Sequence, residues 1–296
     1  YKDTTFTIEP PSLADSKGKP GTPDAPQSTP TGDPVSFLGV DKLHKEGITG
    51  EGIKVAVIDT GVDYNHPDLK DAYKGGYDFV NNDNDPMEAT YEDWKKSGSP
   101  EFPANGSAYY TDHGTHVSGT IVSQAKNTSE VSVKGIAPDA DLYVYRVLGP
   151  YGSGTSANVI AAIDQAVTAG MDVMNLSLGA ATNDPYYPPS TAINYAVLSG
   201  VTAVVAAGNS GPGFYSLGSP GTAAMALTVG ASDISMPVTT MKGNVATGSS
   251  IELQTMARSF SDELTTFKGK SFEIVDVGLG GEADYTNKDV TGKIVL

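Results

Sequence analysis

The sequence predicts an α/β fold in which a mainly parallel sheet is sandwiched between helices, followed by the start of a β-rich module. Two features carry that expectation. Short β-branched runs alternate with segments of helical periodicity. Those runs are also apolar nearly throughout, so both faces of the sheet they form must be covered.

The first 34 residues contain EPPSLADSKGKPGTPDAPQSTPTGDP, which has almost nothing to bury and predicts an extended arm or linker over 1–34. Order begins near Val35, and residues 35–235 form the main domain. Within it IKVAVID (53–59), DLYVYRV (141–147), DVMNLS (172–177), GVTAVVAAG (200–208) and ALTVGA (226–231) read as strands. Between them HGTHVSGTIVSQ, SANVIAAIDQAVTAG and STAINYAVLSG carry apolar residues at helical spacing, and the last two end in glycine, a natural helix stop. After Ser232 the alternation ceases. Residues 236–296 hold IELQTMARSF, SFEIVDVGLGG and VTGKIVL, read as short strands with turns that open a second module and leave it incomplete. No internal repeat is found.

At 296 residues the chain can bury a full core. Its 19 basic residues against 35 acidic ones give a formal charge of −16, which argues against a nucleic-acid partner and for a self-repelling surface. Acidic loops of this kind can hold calcium, a hard cation that takes oxygen ligands. Cysteine is absent, which excludes disulfides, zinc-thiolate sites and a cysteine nucleophile. No apolar run approaches the roughly 18 residues that a membrane span requires. The opening YKDTTFTIEP lacks the profile of a signal peptide, so the expected chain is cytosolic or already processed.

In open parallel sheets, reactive groups gather at the carboxyl ends of the strands. Three polar residues stand at such points: Asp59 ends VAVID, His113 opens a helix after TD, and Asn209 follows TAVVAAG. Each alone reads as a helix cap or turn residue. Together they describe a hydrolase, because a buried carboxylate can hold a histidine in the tautomer that takes a proton from a nucleophile while an amide steadies the developing oxyanion.

VAVIDTGVDYNHPDL resembles the aspartate motif of the subtilisin-like serine proteases (subtilases, peptidase family S8), DHGTHVSGTI their histidine motif, and VVAAGNSG their oxyanion motif. The resemblance runs from about Val40 to Ala231 with the three motifs in the family's order. It implies a subtilisin-like three-layer fold and an endopeptidase acting on polypeptide substrates through an acyl-enzyme. Asp59 would orient the base, His113 would be the general base and acid, and Asn209 would donate to the oxyanion. His116 then reads as a packed helix residue, and His66 and His44 as loop and surface-helix residues.

The family's nucleophile lies in Gly-Thr-Ser-Met-Ala-x-Pro beyond the asparagine. Only SGTSANV offers a partial match, Gly154-Thr155-Ser156, and it precedes Asn209 and lacks the continuation. It falls where relatives carry a glycine-rich segment that pairs with an extended substrate, which assigns Tyr151, Gly152, Ser153 and Gly154 to a peptide-pairing edge and Ser156 to a helix cap. The serine is therefore expected from elsewhere: either the coding sequence continues past Leu296, or a second polypeptide, a C-terminal fragment of the same precursor, brings it. NKDVTGKIVL resembles the opening of the protease-associated domain that large extracellular and cell-envelope members insert between the two motifs, and this implies secretion.

NLSLG, with Ser177, Leu178 and Gly179, resembles one wall of the family's main specificity pocket, and Ala206, Ala207 and Gly208 the other. Small residues there leave a slot for large apolar side chains. Asp68 in HPDL matches a calcium-ligating position of relatives, although the loop AKNTSEVSVKG departs from their pattern. NNDNDP offers Asp83 and Asp85 as further calcium ligands, with a solvated acidic turn as the competing reading. KGKS at 268–271 fails as a phosphate loop because Leu264 replaces the required glycine, and the sequons at Asn105, Asn127 and Asn175 matter only in a glycosylating host. Two rivals are a pseudoprotease that holds peptides without cutting them and a nucleotide-binding α/β protein. The second lacks G-x-G-x-x-G after its first strand.

Overall fold

A computed structural model of the chain describes residues 5–7, 34–103, 106–127, 133–231, 240–244, 248, 250–254, 264–278 and 280–295. Most of the expected arm, Asn105 and part of the 125–135 loop lie outside them. The chain divides into two compact units, Tyr1–Ser235 and Met236–Leu296.

In the first unit the strands are β1 (Thr5–Thr7), β2 (Lys54–Asp59), β3 (Tyr73–Asp78), β4 (Asp141–Arg146), β5 (Ser153–Thr155), β6 (Val173–Leu176), β7 (Thr202–Ala206) and β8 (Leu227–Val229). The helices are α1 (Pro34–Phe37), α2 (Val40–Lys45), α3 (Tyr91–Ser97), α4 (His113–Val122), α5 (Ser156–Thr168) and α6 (Pro188–Leu198). Six strands form one sheet in the order β3-β4-β2-β6-β7-β8, with every neighbouring pair parallel. The five strands read from the sequence all lie in it.

Alternation along each strand separates two apolar layers. Ala56 and Ile58 of β2 join Met174, Leu176, Ala203 and Val205 in a cluster with Val159, Ile163 and Ala166 of α5 and Ile193 of α6. Val55 and Val57 face the other way, with Leu142, Val144 and Val122 of α4. Helices thus cover both faces, the three-layer arrangement expected from continuously apolar strands.

Two local features depart from the sequence reading. The N-cap of α5 is Thr155, whose extended backbone lets its side chain accept from Asn158 N, so Ser156 is the first helical residue and not the cap. Strand β3, YKGGYD, was not anticipated, because it holds two glycines and no β-branched residue. Gly76 is needed there, since a Cβ would lie 1.8 Å from Val144 O on the neighbouring strand.

The register of β2, β4 and β3 sets Asp59, Arg146 and Asp78 side by side at the carboxyl ends of three adjacent strands. Arg146 is buried, its Nη1 donating to Asp78 Oδ2 at 2.7 Å and its Nε to Thr60 O at 3.1 Å. Asp78 is fully buried and also accepts from Val80 N, Asn81 N and Asn81 Nδ2.

In the second unit β9 (Thr240–Asn244) pairs antiparallel with β10 (Ser250–Gln254), and β11 (Ile274–Val275) pairs parallel with β12 (Ile294–Val295). Among the described residues no helix is long and apolar enough to cross a membrane.

Removing one partner of a buried ion pair strands the other charge. Asp78→Ala should therefore destabilise the fold by about 3 kcal/mol or more, read by urea denaturation. The double variant Asp78→Ala/Arg146→Met should recover part of that loss.

Candidate active site

Asp59 closes β2 with no exposed surface, and so its carboxylate must be held by protein donors. Thr60 N donates to Asp59 Oδ1 at 2.7 Å, and His113 Nδ1 donates to the same oxygen at 2.7 Å. Asp59 Oδ2 is buried and accepts no hydrogen bond among the described residues. His113 is the first residue of α4, and the following turn is anchored by Gly114 N donating to Thr60 Oγ1 at 2.8 Å. A Cβ at position 114 would lie 2.1 Å from Gly61 O, so glycine is what lets the helix start this close to the strand end.

The imidazole leaves 31% of its side chain exposed, enough for a substrate group to reach it from the open side. Its pKa is raised above 6.5, chiefly by the hydrogen bond to Asp59. Burial opposes the shift, while the charges of Asp59, Glu88 and Asp112 add to it.

The remaining candidates lie along the same edge of the sheet. Ser177, Leu178 and Gly179 follow the end of β6, the strand next to β2, and Leu178 is buried. Ala206 ends β7 on the far side of β6, with Ala207 and an exposed Gly208 after it. A crossing segment ties the two: Ala180 bridges Ser219, and Gly218 N donates to Ala207 O. Asn209 is exposed three residues past the end of β7, a strand two spacings, or about 10 Å, across the sheet from β2.

The edge expected from the sequence to pair with a peptide, at β5, carries this chain's own residues 5–7. β1 lies antiparallel on β5, with Thr5 opposite Thr155, Phe6 opposite Gly154 and Thr7 opposite Ser153. Phe6 is completely buried in the apolar cluster that holds Leu148, Leu178, Ala180 and Tyr187, its ring 6.3 Å from that of Tyr187. Part of the stretch expected as a free arm is thus a strand, because Phe6 finds an apolar site there. Gly154 permits the close approach of β5 to the segment that follows β4, since a Cβ would lie 2.1 Å from Val147 O. Gly152 is buried, and Tyr151 adopts a left-handed backbone (φ 62°) held by its N–H to Tyr109 O and its hydroxyl to Pro100 O at 2.6 Å.

The structure does not bring the other candidates to this edge. His116 is exposed on α4 and is not a packed residue, since it points away from both apolar layers. His66 Nδ1 accepts from Asp68 N, and His44 Nε2 donates to Ile136 O. For calcium, Asp68 Oδ1 accepts from Asn127 N, Asp83 Oδ1 from Asp85 N, and Asp85 Oδ1 from Tyr64 Oη. Among the described residues no three acidic or histidine side chains converge as a metal site, and part of the loop expected to complete the Asp68 site lies outside those residues. Thr60, Glu88 and Arg146 were not singled out in the sequence. Only Arg146 left a trace there, as a cation in an otherwise apolar strand.

A raised imidazole pKa means that folding favours the protonated ring. Its contribution to stability is complete below about 6.5, the unfolded value, and fades as pH climbs through the higher native value. Unfolding free energy followed by denaturant titration should carry that falling slope, and Asp59→Asn should flatten it.

The sequence profile described as "Subtilase family" matches residues 50–285. The chain is 44% identical over 267 residues to the minor extracellular protease Vpr of Bacillus subtilis (strain 168), which covers 89% of this chain and 30% of that protein. It is 41% identical over 207 residues to subtilisin Savinase of Lederbergia lenta, covering 70% of this chain and 65% of that one. Against subtilisin E of Bacillus subtilis (strain 168) it is 40% identical over 185 residues, or 62% and 41% of the two chains. The chain thus spans about a third to two thirds of the length of these relatives. With the profile covering most of its residues, and with an aspartate and a histidine joined at the carboxyl edge of a parallel sheet, the chain belongs to the subtilase family.

Proposed function

We propose that this chain is the N-terminal portion of a secreted serine endopeptidase that hydrolyses peptide bonds through an acyl-enzyme. The observation that carries the reading is the 2.7 Å bond from His113 Nδ1 to a carboxylate with no exposed surface. Donating from Nδ1 leaves the other ring nitrogen, Nε2, as the acceptor for a nucleophile's proton. Asp59 fixes that tautomer and compensates the imidazolium that forms.

The nucleophilic serine comes from polypeptide outside these 296 residues, a C-terminal part of the same precursor. Its Oγ attacks the substrate carbonyl as its proton passes to His113, and the Asn209 amide donates to the oxyanion. Collapse returns the proton from His113 to the leaving amine. Water, deprotonated by the same imidazole, then releases the acyl group.

The substrate is an extended polypeptide. Tyr151, Gly152, Ser153 and Gly154 pair with its backbone on one side and Ser177, Leu178 and Gly179 on the other, while Ala206, Ala207 and Gly208 wall a slot for a large apolar side chain. The antiparallel pairing of Thr5–Thr7 on β5 supports this, since that edge already accepts a peptide strand and seats an aromatic residue beside it. Residues 236–296 are the start of a protease-associated-like inserted domain. The secreted location follows the relative named as extracellular, the minor extracellular protease Vpr.

In the full-length protein, His113→Ala should lower kcat/KM for peptide hydrolysis at least about a hundredfold with the fold retained by circular dichroism. A serine-directed phosphonate should label a residue outside positions 1–296. Label on Ser156 would overturn the assignment.

Phe6→Ala, in protein that retains the N-terminal segment, should loosen the strand that competes for the edge. The apparent KM for peptides should then fall about tenfold, the scale of losing a buried aromatic side chain. An unchanged KM would place the peptide elsewhere.

A further inference from the structure

A second carboxylate lies buried beside α4, and no step above uses it. Glu88 is 6% exposed and stands three residues before the start of α3 at Tyr91–Ser97, in an acidic stretch that gave no reason to single it out. Its Oε1 accepts from Thr115 N at 2.9 Å and from Thr115 Oγ1 at 3.0 Å, and its Oε2 accepts from Thr111 Oγ1 at 2.7 Å. Thr115 Oγ1 in turn accepts from Asp63 N at 2.8 Å.

These bonds fall on the first turn of α4. The residue in the N-cap position, Asp112, makes no side-chain cap bond, so the backbone N–H of the third helical residue would otherwise lack that partner. Glu88 supplies it from a separate segment. The same carboxylate also ties down Thr111, two residues before His113, and Thr111 is held to Ala89 by reciprocal bonds, Thr111 N to Ala89 O and Ala89 N to Thr111 Oγ1. The histidine is therefore gripped on both sides, at positions 111 and 115, by one buried anion.

We propose that Glu88 is a positioning residue for His113, holding the first turn of α4 against β2 and supplying a second fixed negative charge to the imidazole. Other titratable groups lie on the elements around that ring. Asp59 from β2 bonds it directly, Asp112 precedes it, and Asp63 lies behind Thr115. Arg146 from β4 reaches Thr60 O with its charge matched by Asp78, and His116 stands exposed one turn along α4. Besides Asp59, Glu88 is the carboxylate that combines burial with direct bonds to the helix carrying the ring. Its charge acts through space in the same direction as that of Asp59.

The catalytic consequence rests on the hydrolase reading, but the effect on the ring does not. Both are measured on the full-length protein. Carbethoxylation by diethyl pyrocarbonate, which modifies neutral imidazole, is followed at His113 against pH by peptide mass mapping, and the acid limb of kcat/KM is recorded in parallel. Glu88→Gln keeps the shape and the acceptor for Thr115 but removes the charge. It should move the His113 midpoint down by about half a pH unit or more, with the acid limb following. Thr111→Val, which keeps the charge, should leave the midpoint in place. A folded Glu88→Gln protein with an unmoved midpoint would overturn the proposal. A shifted midpoint with an unmoved acid limb would uphold the role of Glu88 and instead remove His113 as the catalytic base. If Glu88→Ala unfolds while Glu88→Gln does not, the bonds to Thr115 are confirmed as structural and the midpoint of the glutamine variant still decides.

Discussion

A carboxylate with no exposed surface is costly unless donors surround it, and Asp59 is such a group at the end of a central strand. Its two bonds account for much of the local architecture. Thr60 N closes the turn after β2, and His113 Nδ1 ties the start of α4 to that turn. The close approach of the helix satisfies one oxygen of Asp59. Glycine at 114 removes the Cβ that would strike Gly61 O, and Thr60 Oγ1 takes the next backbone N–H.

The parallel sheet supplies the second layer of constraint. Because the register sets Asp59, Arg146 and Asp78 level on adjacent strands, a cation lies between two buried carboxylates and the row alternates in sign. Arg146 also holds the carbonyl of Thr60, the residue whose amide and hydroxyl serve the site. The ion pair therefore stiffens the turn on which Asp59 and Gly114 both depend. A rigid anchor of this kind suits a site whose chemistry needs an imidazole at a fixed angle.

The groove side is built on different physics. At β5 the backbone edge presents hydrogen-bonding groups to a strand laid along it, and an adjoining apolar cluster offers a place for one large side chain. Thr5–Thr7 uses both, which is why a segment flanked by residues with so little to bury acquires a strand. Tyr151, in a conformation that favours glycine, is pinned by carbonyls of Tyr109 and Pro100, so the edge is shaped in part by the segment between α3 and α4.

Local sequence determined five of the six strands of the sheet, the helices that alternate with them, and the positions of Asp59 at a strand end, His113 at a helix start and Asn209 in the turn after a strand. These are near-neighbour properties: β-branched runs, helical periodicity and polar residues at element termini act within a few positions. Tertiary structure alone decided which of those polar residues meet. It gave β3 a place despite its two glycines, through close packing on β4, and it recruited Glu88 and Arg146, whose partners lie 27 and 68 residues away. It also turned Thr5–Thr7 into a strand and engaged Asp68, Asp83 and Asp85 with protein donors. Each of these outcomes depends on the register of distant segments, and the energy of a buried charge or an unpaired edge is set by whatever the fold places beside it.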